Sequence, residues 1–197
     1  WCIIKCVLYL CIKIKCMKTL VIHPKDSSTD FLCKMYENIP HKKVIRGGLT
    51  KWEVGKLINE YGRVIMCGHG VPSGLLSVGQ FHSENGLIID SSFVNQLSKR
   101  KECIYIWCNS DKFVNRNNLK GFYSGMFVSE VGESEYCNVP STQEVVTESN
   151  DTFSNIMSKY INKNVKTIYE NVRNEYGKFS ETNKVGRYNY ERLYLNE

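Results

Sequence analysis

Three residues with reactive side chains stand just past short apolar runs: His23 after Thr19-Leu20-Val21-Ile22, His69 after Arg63 to Gly68, and Cys108 after Cys103-Ile104-Tyr105-Ile106-Trp107. A thiol has an ordinary pKa near ~8.5, so it becomes a good nucleophile when a base or a positive field takes its proton. An imidazole can take that proton and later return it. Gly70 follows His69. Without a Cβ its backbone can approach a substrate closely, and its N–H, with that of Cys108, suits a developing oxyanion. The chemistry that fits is acyl transfer, with Cys108 as nucleophile, His69 as base and Gly70 as oxyanion donor.

Each residue taken alone has a plainer role. Cys is among the most buried residue types, and Cys108 could close a strand as a core thiol. His69 after Gly68 could be a turn residue, and His23-Pro24 a structural strand end. A metal site from His23, His69, Cys67 and Cys108 would draw on separate strands without a local ligand pair, and no CxxC occurs, so no metal or other cofactor is expected. Gly68-His69-Gly70 lacks the glycine spacing and the Lys-Ser/Thr end of a phosphate loop.

Short apolar runs alternating with helical stretches signal a mostly parallel sheet with crossover helices, a three-layer α/β/α arrangement. The predicted strands are Thr19–Ile22, Lys43–Arg46, Arg63–Cys67, Cys103–Trp107 and Phe122–Val131. A helix carries Phe31, Leu32, Met35 and Tyr36. Thr50 caps another, whose apolar face is Trp52, Val54, Leu57 and Ile58. Between the third and fourth strands, Leu75–Val78 and Leu87–Ile89 form a β-hairpin with Asn85-Gly86 at its turn. Asp90, Ser91 or Ser92 then caps a short helix carrying Phe93, Val94 and Leu97. Ser141-Thr142-Gln143-Glu144 reads as a capping box opening a helix with Val146, Phe153, Ile156, Met157 and Tyr160. A further helix covers Val165–Tyr176, and the Tyr-rich tail from Lys184 has no assignment. In such a sheet ligands bind beyond the carboxyl ends of the strands. His69 and Cys108 are expected there on neighbouring strands.

An apolar strand ending in His-Gly, a small hairpin, then an apolar strand ending in Cys resembles the layout of caspase-like cysteine peptidases of clan CD. The segments are RVIMCGHG, SGLL, NGLIID, FVNQL and ECIYIWCNSD, with GFYSGMFVSEV similar to the strand that lines the substrate cleft. The likeness covers residues of about 17 to 135, a typical domain's worth. About 40 residues separate His69 from Cys108, against roughly 50 in caspases. The resemblance implies a peptidase with His69 as imidazole, Cys108 as nucleophile and Gly70 as oxyanion donor, acting on a peptide or protein substrate. The chain departs from caspases in carrying Ile106-Trp107 before the Cys and Asn109-Ser110 after it. Asp26, Asp111, Ser129 and Glu130 fall near the expected cleft and hint at a basic substrate side chain, whereas Lys25 argues the other way. The alternative is a non-catalytic module on the same scaffold, binding a nucleotide, peptide or partner protein at that rim.

The 197 residues can bury a real core, and 42% hydrophobic with 23% charged residues is ordinary for a globular chain. Of the formal net charge of +6, Lys5, Lys13 and Lys15 supply half. No basic stripe marks a nucleic-acid binder; the longest cluster, Lys99-Arg100-Lys101, suits the last turn of a helix. Residues 1–16, WCIIKCVLYLCIKIKC, hold four of the nine Cys and an apolar run too short for a bilayer. They read as a non-native or read-through leader before a start at Met17, leaving 17–197 as one α/β domain with a helical C-terminal part. Cys33, Cys67, Cys103, Cys108 and Cys137 show no paired spacing, which fits a reducing cytoplasm and no membrane anchor. Homodimerisation is left open.

Overall fold

The computed structural model describes residues 18–197, so the expectations for the leader and for Met17 lie outside the described residues. β1 (Thr19–Ile22), β2 (Lys42–Ile45), β3 (Arg63–Cys67), β7 (Glu102–Ile106), β8 (Gly121–Ser124) and β9 (Leu193–Asn196) form a six-stranded sheet in the order β2-β1-β3-β7-β8-β9. All neighbours pair parallel except β8 and β9. In sequence between β3 and β7, β4 (Gly70–Val71), β5 (Gly74–Leu76) and β6 (Leu87–Ile89) make a separate antiparallel sheet.

Successive strand residues face opposite sides, so a sheet covered on both faces needs apolar residues at every position. After their first residues, Thr19, Arg63 and Glu102, β1, β3 and β7 meet that demand. Leu20, Ile22, Val64, Met66, Cys103 and Tyr105 enter one core, and Val21, Ile65, Cys67, Ile104 and Ile106 the other. The first core is closed by α2 (Lys51–Glu60), α3 (Val94–Leu97) and α4 (Ser110–Arg116), through Val54, Ile58, Leu97, Phe113 and Val114. The second is closed by α1 (Cys33–Tyr36), α6 (Gln143–Tyr160) and α7 (Val165–Phe179), through Met35, Phe153, Met157, Ile168 and Val172. Each such side chain contributes about 1.5–3 kcal/mol on burial, which is why helices cover both faces.

Several local expectations are corrected. The first helical stretch is a 3-10 segment, Ser27–Leu32, continuing into the single turn of α1. Trp52 points outward at 67% exposure, with Lys56 Nζ 3.4 Å from its ring centre; Val54, Gly55 and Ile58 make the buried face. β5 starts at Gly74 and stops at Leu76, because Val78 takes a φ of 42° and turns the chain. The strand predicted over Phe122–Val131 is β8 alone. Beyond it Gly125 N donates to Arg192 O, Val128 N donates to Asn189 Oδ1, and Val131 opens helix α5 (Val131–Tyr136). The Ser141 capping box does not form: the N-cap of α6 is Thr142, and Ser141 Oγ donates to Val139 O. Lys99 and Arg100 lie beyond α3, where Arg100 reaches Asn59 O near the end of α2. The unassigned tail is α8 (Lys184–Tyr190) followed by β9. Among the described residues no helix is long and apolar enough to cross a membrane.

Candidate functional site

β1, β3 and β7 lie side by side and parallel, so His23, His69 and Cys108 all emerge at one edge of the sheet. Gly68 N donates to Ile106 O at 3.1 Å, carrying the β3–β7 ladder one step past β3 before His69 leaves it. Past β7 the alternation continues. Trp107 follows Tyr105 into the first core and packs against Phe113, while Cys108 follows Ile106 to the opposite side. Asn109 then takes a left-handed turn (φ 65°), which asparagine tolerates well, and its N–H donates to Gly125 O. Ser110 Oγ, fully buried, lies 2.9 Å from Tyr105 O and 2.6 Å from Ser124 O, and it accepts from Ser124 N.

His69 and Cys108 line one crevice with Thr29, Phe31, Leu32, Ile106, Phe127 and Ser129. Its volume is about 20 Å³, room for roughly one water. Wider surface hollows exist, such as one of about 680 Å³ beside Trp52 and His82. The narrow crevice is the candidate site because a thiol and an oriented imidazole both line it.

That orientation comes from the segment after β1. Asp26 caps the 3-10 turn by accepting from Ser28 N at 3.0 Å, and it accepts from Ser28 Oγ at 2.7 Å. Ser28 Oγ also lies 2.6 Å from His69 Nε2. The serine proton is committed to the carboxylate, so Nε2 donates to the serine oxygen. In a neutral ring Nδ1 is then the basic nitrogen. Asp26 Oδ1 itself stands 3.8 Å from Nε2, ready to stabilise an imidazolium. The hydrogen bonds from Ser28 hold the Asp26 carboxyl below its ordinary pKa.

The thiol is held differently. Cys108 Sγ donates to Phe127 O at 3.3 Å and faces Glu133 Oε1 at 3.7 Å. Burial, and then the Glu133 charge, push this thiol up to about 12, so at neutral pH it is protonated. Glu133 Oε2 accepts from Ser129 N at 2.7 Å, Ser129 Oγ at 3.0 Å and Glu130 N at 3.2 Å.

Compared with known proteins, the sequence matches no family model and no curated protein.

The candidate residues therefore divide. His69, Cys108 and Ser129 line one crevice. Asp26, expected on the substrate side, stands behind the imidazole. Glu130 is exposed at the start of α5, and Asp111 lies in the first turn of α4 with a buried Oδ1 that has no hydrogen-bond partner among the described residues. Gly70 is tightly placed for a reason the sequence did not suggest. A Cβ there would lie 2.0 Å from Trp107 Cδ1, so an indole occupies the space beside its α-carbon. His23 is fully buried with Nδ1 2.8 Å from Tyr36 Oη and Nε2 3.1 Å from Thr29 Oγ1. Both nitrogens have a hydroxyl at hydrogen-bond distance, as befits a structural strand end. Ser28 and Glu133 were missed. Asp26-Ser27-Ser28 carries the Asx-turn signal that could have found Ser28. Glu133 lay beyond a stretch read as strand.

Proposed function

We propose that this chain is a cysteine hydrolase of the caspase-like kind that cleaves peptide amide bonds. The observation that carries this reading is that Cys108 and His69 both line one crevice, beyond the carboxyl ends of adjacent parallel strands. Cys108 Sγ attacks the amide carbonyl carbon while its proton passes to His69 Nδ1. The tetrahedral oxyanion is met by the N–H groups of Gly70 and Cys108. Collapse breaks the C–N bond, the leaving amine takes the proton from His69, and an acyl-enzyme remains. Water, deprotonated by His69, attacks the thioester and releases the acid and the thiol. The Ser28–Asp26 pair keeps Nδ1 free for these transfers and stabilises the imidazolium. No cofactor is called for by this chemistry, and the partner is a peptide or protein substrate.

A peptidyl acyloxymethyl ketone tests the reading, with the adduct mapped by peptide mass spectrometry. The expected result is one adduct on Cys108, slowed by about 10²-fold or more in His69→Ala, the usual scale of a lost general base. Labelling at another Cys, or at Cys108 with no dependence on His69, overturns it. A non-catalytic module binding a nucleotide, peptide or partner at the same rim is the second reading, favoured by the thiol's hydrogen bond to a carbonyl. It predicts that Cys108→Ala keeps the cellular role while charge reversal around the crevice abolishes it.

A further inference from the structure

The crevice has room for roughly one water, so seating a peptide backbone beside the thiol calls for one of its walls to move. The wall formed by Phe127 and Ser129 is irregular backbone between β8 and α5; Asn189 holds Val128 through its N–H and carbonyl, Asn150 Nδ2 donates to Ser129 O, and Glu133 holds the amides of Ser129 and Glu130. Glu133 gives one carboxylate oxygen to the amides of Ser129 and Glu130 and to the Ser129 hydroxyl, and turns the other toward Cys108 Sγ. Among the described residues no Lys, Arg or His nitrogen forms an ion pair with it. No cation among the described residues is therefore paired with it to offset its effect on the thiol.

We propose that Glu133 is an autoinhibitory latch: it clamps the Ser129–Glu130 end of the wall and, by the same carboxylate, keeps the Cys108 proton in place until that end is displaced. The proposal rests on the hydrolase reading for its biological meaning. Besides Glu133, the titratable groups bearing on the thiol are Cys137, the C-cap of α5, and His69 across the crevice. His69 favours the thiolate when protonated, and Glu133 opposes it. Lifting the latch moves the carboxylate away, frees two amides, and lets the thiol pass its proton to His69.

The test is the rate of Cys108 alkylation by iodoacetamide in the full chain at pH 7.5, with the site mapped and Cys108→Ala as blank. Glu133→Gln keeps the shape and an acceptor for the Ser129 amide but removes the charge. Each unit by which the thiol pKa falls raises the thiolate fraction tenfold, so the expected acceleration is about tenfold or more. Ser129→Ala leaves the charge and removes one strut, and is expected to accelerate alkylation about threefold, the scale of one hydrogen bond. The Ser129 and Glu130 amides should exchange with deuterium faster in Glu133→Gln. Unchanged or slower alkylation in Glu133→Gln overturns the latch, and if that variant fails to fold, an unaccelerated Ser129→Ala does so. Should alkylation be unchanged while the ketone still labels Cys108 with His69 dependence, the latch falls and the hydrolase stands. Acceleration with no ketone labelling in either protein sinks the hydrolase instead.

Discussion

Replacing Gly70 with Ala separates two reasons for the lack of a side chain after His69, a question distinct from what the Gly70 N–H meets. A substrate-facing glycine would leave open space at its missing Cβ. Here a Cβ would sit 2.0 Å from Trp107 Cδ1, 2.5 Å from Cγ and 2.9 Å from Cβ. The indole cannot retreat: Trp107 is 1% exposed, with Tyr105 at 5.7 Å and Phe113 at 5.6 Å between ring centres. Two effects of opposite sign compete. Gly70 has no positive φ, so Ala loses less chain entropy on folding and would stabilise by about 0.4–1 kcal/mol. Forcing a methyl group into a packed core costs about 1–3 kcal/mol. The clash wins, for a net loss of roughly 1–2 kcal/mol. At about 2–4 °C per kcal/mol for a chain of this size, the melting temperature should fall by some 2–8 °C. Urea denaturation of Gly70→Ala, Trp107→Ala and the double variant measures the coupling. In the Trp107→Ala background the nearest two atoms are gone, and the cost of Gly70→Ala should shrink toward zero. A neutral or stabilising Gly70→Ala in the wild-type background would refute the packing account of why this position is glycine.

Acid should weaken the fold through His23. Burial, aided by the Arg46 charge, lowers this imidazole to about 4 from an ordinary 6.5, so the unfolded chain binds a proton that the folded one refuses. Stability therefore falls as pH drops from about 6.5 to about 4, by roughly 3 kcal/mol in all. Urea midpoints at pH 7 and 4.5 should converge in His23→Gln relative to wild type; an identical pH dependence in both would exclude His23 as the cause. Ser110→Ala strands the buried Ser124 amide and should cost about 1–3 kcal/mol in thermal unfolding. A shift under 1 °C would show that the Ser110 bridge between β7 and β8 contributes nothing.

Local chemistry alone determined the inner strands. Thr19–Ile22 and Arg63–Cys67 are short apolar runs ended by His-Pro and Gly-His-Gly, and a strand buried on both faces must be written that way. Leu87–Ile89 follows a turn whose Gly86 has a φ of 71°, a geometry Asn-Gly announces. From those strands alone it followed that His69 and Cys108 leave the sheet near each other. The tail could not be read, because β9 is an edge strand whose pairing with β8 joins residues some 70 positions apart, and no local pattern encodes that. The same holds for the site's surroundings. Ser28 reaches His69 across 41 positions and Glu133 reaches Cys108 across 25, contacts that exist once the sheet edge has gathered their segments. Composition could nominate a thiol and an imidazole. Which nitrogen is basic, whether the sulfur keeps its proton, and that an indole lies against Gly70 are consequences of distance and burial, and those belong to the folded chain.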